Sequence, residues 1–224
     1  DTLDSTGGES LPLLEAAALK MLKTLRSKQV SGVFLILNTH DFTDRTSGDR
    51  LPCVYLRDLD PEATPSADNS DVMFERAPAE LVQAFGITTD KAWTPAQQYL
   101  DGEEDVFYVR PFQAAYESGE RTGAAADYGR WTTLPYTLLG DDREAIVYAQ
   151  PLILDDGTVY GVLGIEMLES YMNTKLPWDE LQNDHHGSYL LASTTSDLRG
   201  EELQLHVTAN TGEQKTALRK DGWE

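Results

Sequence analysis

The sequence predicts an α+β fold with a long N-terminal helix followed by short strands, some of which form antiparallel pairs. Leucines and alanines recur three and four residues apart between Ser10 and Lys28, as in an amphipathic helix. Short apolar runs then alternate with Gly-, Asp- and Pro-rich turns, a pattern typical of strands. An Asp-Asp-Gly turn at 155–157 joins two of these runs and predicts a hairpin.

The N-terminal helix has both start and stop signals. Ser10 can cap it, and Pro12 lies in the first turn, where a missing N–H costs little. Lysines and an arginine cluster toward Lys28, at the end where the helix dipole favours cations. The helix is therefore expected to span residues 10–28.

The later elements follow from apolar runs and from the glycines and prolines that bound them. The runs at 32–38 and 53–57 predict an antiparallel pair of strands. Pro78 and Gly86 bound a short helix. The other predicted elements are a helix at 111–116, strands at 144–154 (with a break at Pro151) and 158–167, a helix at 168–181 interrupted by Pro177, and strands at 187–193 and 203–209.

Composition excludes several classes of protein. The 224 residues include 38 acidic and 18 basic side chains, so the net charge is −20, which repels nucleic-acid phosphates and anionic lipid heads. No basic patch offsets this charge, so no nucleic-acid partner is expected. The longest apolar run, 33–37, is far shorter than the ~20 residues of a spanning helix. Because the chain starts at Asp1 without a signal-like stretch, we expect it to be a piece of a longer protein.

Motifs for catalysis, cofactors and metals are sparse. No Walker loop, nucleophile elbow, GxGxxG after a strand or HExxH helix occurs in the sequence, and no cofactor is predicted. Cys53 is the single cysteine, so it forms no internal disulfide. Asp184, His185 and His186 form the only His-rich spot; a metal there requires a third ligand from elsewhere, and an exposed polar turn is the alternative.

An aromatic cluster between residues 107 and 148 is the best candidate for a binding site. Its side chains provide apolar walls with polar tips, and an arginine provides a fork suited to a carboxylate. Core packing is the alternative role for the aromatics, and a surface charge is the alternative for the arginine. The candidate binding-site residues in this cluster are Tyr108, Arg110, Trp131, Tyr136 and Tyr148.

Three ordered segments resemble a known family. WTTLPY at 131–136, IVYAQPL at 146–152 and DGTVYGVLGIE at 156–166 resemble the signature of Cache sensor domains, especially the double-Cache type. In that family an aromatic and Pro-Tyr element precedes a strand that ends in Pro-Leu, a DG turn and a strand reading roughly GVxGxD. The stretch at 107–115 loosely resembles an element of amino-acid-binding members.

The resemblance implies a PAS-like fold, a twisted antiparallel sheet with the long N-terminal helix packed on one side and a ligand pocket under loops on the other. It implies a noncatalytic sensor outside the cytoplasm, held in a bacterial membrane by segments absent from this chain. The output domain, a histidine kinase, chemoreceptor or cyclic-dinucleotide enzyme, is also absent. The small ligand would be an amino acid, amine or organic acid. Tyr108, Trp131, Tyr136 and Tyr148 would wall the pocket, Arg110 would face a carboxylate, and Glu166 would accept a hydrogen bond from an amine or a water.

The resemblance also suggests a division of the chain. Residues 1–29 would form a stalk helix, 30–167 a membrane-distal PAS-like module, and 168–224 a connecting helix with strands of a shortened or truncated membrane-proximal module. Two alternatives stay open. One is a structural ectodomain without a small-molecule ligand, which forms a homodimer through the N-terminal helix. The other is an acidic metal-dependent hydrolase that uses Asp184, His185 or His186.

Overall fold

A computed structural model describes residues 10–28, 30–38, 48–64, 66, 68–98, 108–118, 125–132, 135–138, 142–181, 188–195 and 204–212. The helices are α1 (Leu11–Lys28), α2 (Ala79–Phe85), α3 (Val109–Glu117) and α4 (Glu169–Lys175), with 3₁₀ turns at Ala125–Tyr128 and Trp178–Leu181. The strands are β1 (Gly32–Leu37), β2 (Arg50–Leu51), β3 (Cys53–Asp58), β4 (Val72–Arg76), β5 (Thr88–Thr94), β6 (Gln97–Gln98), β7 (Arg130–Trp131), β8 (Tyr136–Thr137), β9 (Glu144–Ile153), β10 (Val159–Leu168), β11 (Ser188–Thr195) and β12 (Gln204–Gly212).

The predicted α+β class is confirmed. The main sheet has the order β5-β4-β3-β1-β10-β9-β7, and β8 pairs with the start of β9. The β1–β3 pair is antiparallel, as expected, and β1–β10 is antiparallel too, whereas β4 and β5 pair in parallel, so the sheet is mixed. The antiparallel β11–β12 ribbon and the short β2–β6 pair are separate sheets.

The described residues divide into two compact units. The first contains the described residues up to Trp131 together with Val147–Glu166, and the second contains those of 132–146 and of 167–224. Residues 132–146 thus group with the later part of the chain, whereas the sequence interpretation included them in the 30–167 module. The predicted assignment of 1–29, 30–167 and 168–224 to stalk, distal and proximal modules stays a prediction.

The core of the first unit lies between α1 and one face of the sheet. Apolar α1 residues at helical spacing pack on alternating residues of β1, β3 and β4. In the central strands, side chains of that face belong to rows such as Leu163–Leu35–Val54, which are directly opposite one another. Burial of apolar surface stabilises a fold by roughly 25 cal/mol per Å², so this interface stabilises the unit.

Several local predictions agree with the structure, and one does not. Gly86 ends α2 with φ 61°, a left-handed conformation that glycine adopts without strain. Gly157, with φ 84°, lies in the turn between β9 and β10. The expected break at Pro151 is wrong, because β9 runs unbroken from Glu144 to Ile153. Proline's φ suits an extended strand, and its missing N–H costs a bond only where the ladder needs a donor.

In the second unit, a small core joins α4 to the β11–β12 ribbon. Met172 of α4 and Ala209 of β12 are buried together with Ile146 at the start of β9. The Asn173 side-chain oxygen accepts the backbone N–H of Asn210 at 2.8 Å. A two-stranded ribbon alone is only marginally stable, so the contact with α4 is what supports it.

Candidate functional site

A buried ionic cluster lies on the sheet face opposite α1. Glu166, Gly32 and Arg57 stand side by side on β10, β1 and β3, so their side chains project from the same face. Arg57 donates from Nε to Glu166 Oε1 at 3.0 Å and from Nη2 to Oε2 at 2.7 Å. This is a bidentate, charge-assisted pair between strands that are not adjacent.

Gly32 allows these two side chains to meet. A Cβ at this position would lie 3.0 Å from Glu166 Cβ, 3.0 Å from Tyr55 Cε2 and 3.1 Å from Glu166 Oε1. Such distances are tighter than normal contacts, so a larger residue would push the carboxylate away from its partner. The glycine therefore has a packing role in the cluster.

The cluster extends to strand β4. Arg57 also forms an ion pair with Glu75, which in turn pairs with Arg76. The Tyr55 hydroxyl donates to Glu166 Oε2. The guanidinium carbons of Arg57 and Arg76 lie 5.3 and 6.0 Å from the centre of the Tyr55 ring, within the range of cation–π attraction.

Charges in the cluster balance: two arginines face two glutamates. Burial by itself would lower the pKa of Arg57, but Tyr55 and the carboxylates of Glu166 and Glu75 raise it, so this side chain stays protonated. Burial raises the pKa of Glu75, and the nearby charges of Arg57 and Arg76 oppose that rise. Because Glu166 is fully buried and Arg57 is 2% exposed, loss of either partner leaves an uncompensated charge.

Aromatic side chains form the next row on the same face. Gly164, Phe34 and Tyr55 are directly opposite one another on β10, β1 and β3. The Phe34 and Tyr55 ring centroids are 5.2 Å apart. Gly164 leaves the space that the Phe34 ring occupies, since a Cβ there would lie 2.1 Å from Phe34 Cζ. Ionic and aromatic rows thus fill this face in succession.

Helix α3 contributes to a small cavity of about 10 Å³ in the first unit. Tyr108 precedes the helix and Phe112 lies on it, and both are buried. Arg110, also on α3, is half-buried. The cavity is lined by Ile36, Leu37, Asn38, Leu51, Tyr108, Phe112, Gly161 and Val162.

The structure brings two of the predicted site residues together. Trp131 on β7 stands opposite Tyr148 on β9, and their ring centroids are 5.2 Å apart. Trp131 is 46% exposed, which is unusual for so large an apolar side chain and leaves its ring accessible. Gly129 accommodates Tyr148, because a Cβ there would lie 2.0 Å from the Tyr148 hydroxyl oxygen.

The other predicted site residues occupy different places. Glu166 is paired with Arg57 and Tyr55 in the buried cluster. Tyr136 lies in β8, in the second unit. A common ligand pocket for these residues stays a prediction.

Sequence reasoning did not identify Arg57, Tyr55 or Glu75. The available signal was a charged residue within an apolar strand, since Arg57 ends the run CVYLR and Glu166 follows GVLGI. A charge buried in a strand needs a partner of opposite sign. Their pairing was not readable from the sequence, because the two residues are 109 positions apart.

The second unit has a separate open cavity of about 540 Å³. Its lining residues are polar, and three of the seven are acidic. The residues are Asp142, Arg143, Glu144, Glu169, Ser170, Asn173 and Thr174.

Within the described ranges, no group of three or more His, Cys, Asp or Glu side chains has a geometry that could hold a metal ion. Asp184, His185 and His186, the predicted metal candidates, lie outside those ranges. Cys53 is buried, and burial raises the pKa of its thiol to about 12. Among the helices that the structure describes, none is both long and apolar enough to cross a bilayer.

No family model matches the chain, and no curated protein sequence is significantly similar to it. A solved structure named methyl-accepting chemotaxis protein X aligns with 83% of this chain at 14% identity and a TM-score of 0.41, over 57% of its own length. The periplasmic sensory domain of the Campylobacter jejuni chemoreceptor Tlp1 aligns with 84% at 13% identity and a TM-score of 0.40, over 62% of its length.

A third similar structure is the extracellular domain of soHK1S-Z6, a protein named as a histidine kinase. It aligns with 84% of this chain at 14% identity, with a TM-score of 0.39, over 69% of its own length. The chain thus spans about three fifths of the first two structures. By name, one of these similar structures is a periplasmic sensory domain, one is an extracellular domain and one is a chemotaxis protein.

Proposed function

We propose that this chain is a noncatalytic, ligand-sensing domain of a bacterial transmembrane receptor, located outside the cytoplasm. It would bind an amino acid, amine or organic acid and pass a helix shift to an output domain that is not part of this sequence. One observation carries the proposal. Trp131 and Tyr136, at the two ends of the first Cache-like segment, lie on β7 and β8, and the other two segments lie on β9 and on the turn and strand of β10, in an α+β fold with a long N-terminal helix.

The accessible aromatic pair is the proposed contact surface for the ligand. Trp131 and Tyr148 already touch, and the half-exposed indole can stack on a ligand without prior rearrangement. Arg110 is the proposed partner of a ligand carboxylate, since its planar fork suits that group. Tyr108, Tyr136 and Glu166 complete the proposed set.

Signalling requires a difference in affinity between two states of the domain. A ligand shifts an equilibrium only by as much as it binds one state better than the other. In this proposal the two states differ in the position of α1, whose buried face packs on the sheet. Ligand contact with the sheet or its loops would then change which position of α1 is preferred.

A thermal-shift screen of amino acids, amines and organic acids tests the ligand part. A compound present at 100 times its dissociation constant should add about 2.7 kcal/mol to the stability of the folded state. If no compound in these classes raises the melting temperature, small-molecule sensing by this chain is contradicted.

Paired variants test the site once a binder is known. Trp131→Ala and Arg110→Ala should each weaken binding about tenfold or more, an effect of at least 1.4 kcal/mol. Matched controls are Leu154→Ala, at an apolar side chain with 49% exposure, and Arg130→Ala, next to Trp131. Equal affinity of all four variants would refute the assignment of Trp131 and Arg110.

A dimerising ectodomain without a small ligand is the second candidate. Leu13 and Leu19 on α1 are 45% and 60% exposed, and exposed leucines on a helix are available for a partner. This candidate predicts no response in the ligand screen and a solution mass that rises with concentration. Leu13→Lys and Leu19→Lys should then return the mass to that of one chain.

An acidic metal-dependent hydrolase is the third candidate, based on Asp184, His185 and His186. It predicts that a chelator lowers the melting temperature and that a divalent metal restores it. A melting temperature that does not respond to either would count against this function.

A further inference from the structure

We propose that the Arg57–Glu166 pair is a latch that controls how readily residues 167–175 open. Glu166 is the last residue of the first unit, and Met167 is the first residue of the following segment of the second. Strand β10 continues to Leu168, and α4 begins at Glu169. The chain therefore passes from one unit to the other within a strand that runs directly into a helix.

The latch lies where strand β1 stops pairing with β10, whose other neighbour in the sheet is β9. Pairing between β1 and β10 ends at Gly32 and Glu166. The Glu166 carbonyl accepts the N–H of Ser31 at 2.9 Å, and the Ser31 carbonyl accepts the N–H of Asp58 at 2.8 Å. Residues 167 and 168 lie beyond this pairing. Glu166 is thus the last point at which β1 and β3 restrain the strand.

Opening of β10 at this point must separate a buried ion pair. Two hydrogen bonds from Arg57 and one from Tyr55 hold the Glu166 carboxylate. Separating the charges while they remain buried is costly, since each lacks water to replace its partner. The pair therefore stabilises the closed state of β10 relative to a partly open state.

Glu75 provides a control within the same cluster. It shares the Arg57 guanidinium with Glu166 but lies on β4, on the opposite side of β3 from β1 and β10. Neutralising Glu75 removes one carboxylate from Arg57 without touching the strand that leaves the unit. A general loss of stability and a specific loss of the latch can therefore be told apart.

The role of the latch in signalling rests on the proposed function, whereas its mechanical role does not. Coupling between two units of a receptor requires a structural element with two arrangements, whose equilibrium both units influence. Strand β10 belongs to both, and the latch fixes its end within the first. The test below uses no ligand, so its failure is distinguishable from failure of the ligand screen.

Hydrogen exchange measured by mass spectrometry on the whole chain tests the latch. Glu166→Gln should accelerate exchange in residues 167–175 by at least about tenfold relative to the unmodified chain. Glu75→Gln should change exchange in this segment by less than about threefold. An unchanged rate in Glu166→Gln, or equal acceleration by both variants, would overturn the proposal.

A second variant distinguishes the ionic latch from simple packing and remains useful if Glu166→Gln folds poorly. Arg57→Met combined with Glu166→Leu replaces the pair by apolar side chains, which buried sites often accept without loss of stability. We expect a near-normal melting temperature with exchange in 167–175 still about tenfold faster. Normal protection of this segment in the double variant would show that the ion pair is not what holds it.

Discussion

The close approach of Gly164 and Phe34 gives the sharpest stability prediction. In Gly164→Ala the added Cβ would lie 2.1 Å from Phe34 Cζ and 2.5 Å from Cε1. Carbon atoms in contact are normally ~3.5–4.0 Å apart, so the ring must move by about 1.5 Å. Phe34 is fully buried, and the Tyr55 ring centroid is only 5.2 Å from its own. The displacement would therefore disturb Tyr55, whose hydroxyl binds Glu166.

The expected cost follows from two opposing terms. Overpacking of this kind costs about 1–3 kcal/mol, and the tight contact with a fully buried ring places it near the upper end. Alanine restricts the unfolded chain more than glycine does, which returns about 0.4–1 kcal/mol. The net loss in the free energy of unfolding should be about 2 kcal/mol. Urea unfolding would show it as a midpoint lower by about 1 M, for a slope of about 2 kcal/mol per M.

The double variant Gly164→Ala with Phe34→Leu serves as the control. Leucine lacks the ring atoms that meet the new Cβ, so it should relieve the clash. The two substitutions should therefore be less destabilising together than the sum of their separate effects, with a coupling of about 1–2 kcal/mol. Gly164→Ala within about 0.5 kcal/mol of the unmodified chain, or strictly additive effects, would refute the packing argument.

Two further predictions concern titratable groups. Burial raises the pKa of Asp58, and the charges of Asp71 and Asp60 add to this rise. The folded chain therefore binds the proton of this carboxyl more tightly than the unfolded chain does, so the free energy of unfolding falls as pH rises from about 4. Asp58→Asn should gain stability relative to the unmodified chain as pH rises toward 7 in urea titrations; a constant difference would contradict this. The pKa of Cys53 is about 12 because the thiol is buried. A disulfide reagent at pH 8 should modify it only after unfolding, and fast labelling of the native chain would disprove its burial.

Local patterns in the chain predicted much of the central sheet. The β-rich runs at 32–38 and 53–57 became the β1–β3 pair, and the DG turn predicted the β9–β10 hairpin. Strands β4 and β5 were not predicted. β5 reads TTDKAWT, mostly exposed or half-buried, so it has neither an apolar run nor a clear alternation. Its parallel pairing with β4 depends on how α2 returns the chain, which a local pattern does not record.

The candidate site was only partly accessible to sequence reasoning. The aromatic cluster predicted between 107 and 148 includes Trp131 and Tyr148, whose rings meet because β7 and β9 are neighbours. The ionic cluster was missed because its members come from β3, β4 and β10. A charged residue in an apolar strand signals that a partner exists but does not say which one.

The α+β class, the extent of α1, the β9–β10 hairpin and the strongly acidic character could be predicted from the chain, because each depends on residue spacing or on composition. The strand order and the partners of Glu166 become known only from the folded structure. Strand order places Gly32 between Arg57 and Glu166, and it is this missing side chain that lets two charges 109 residues apart meet across the sheet. Contacts of that kind depend on which strands become neighbours, and that is a property of the folded chain as a whole.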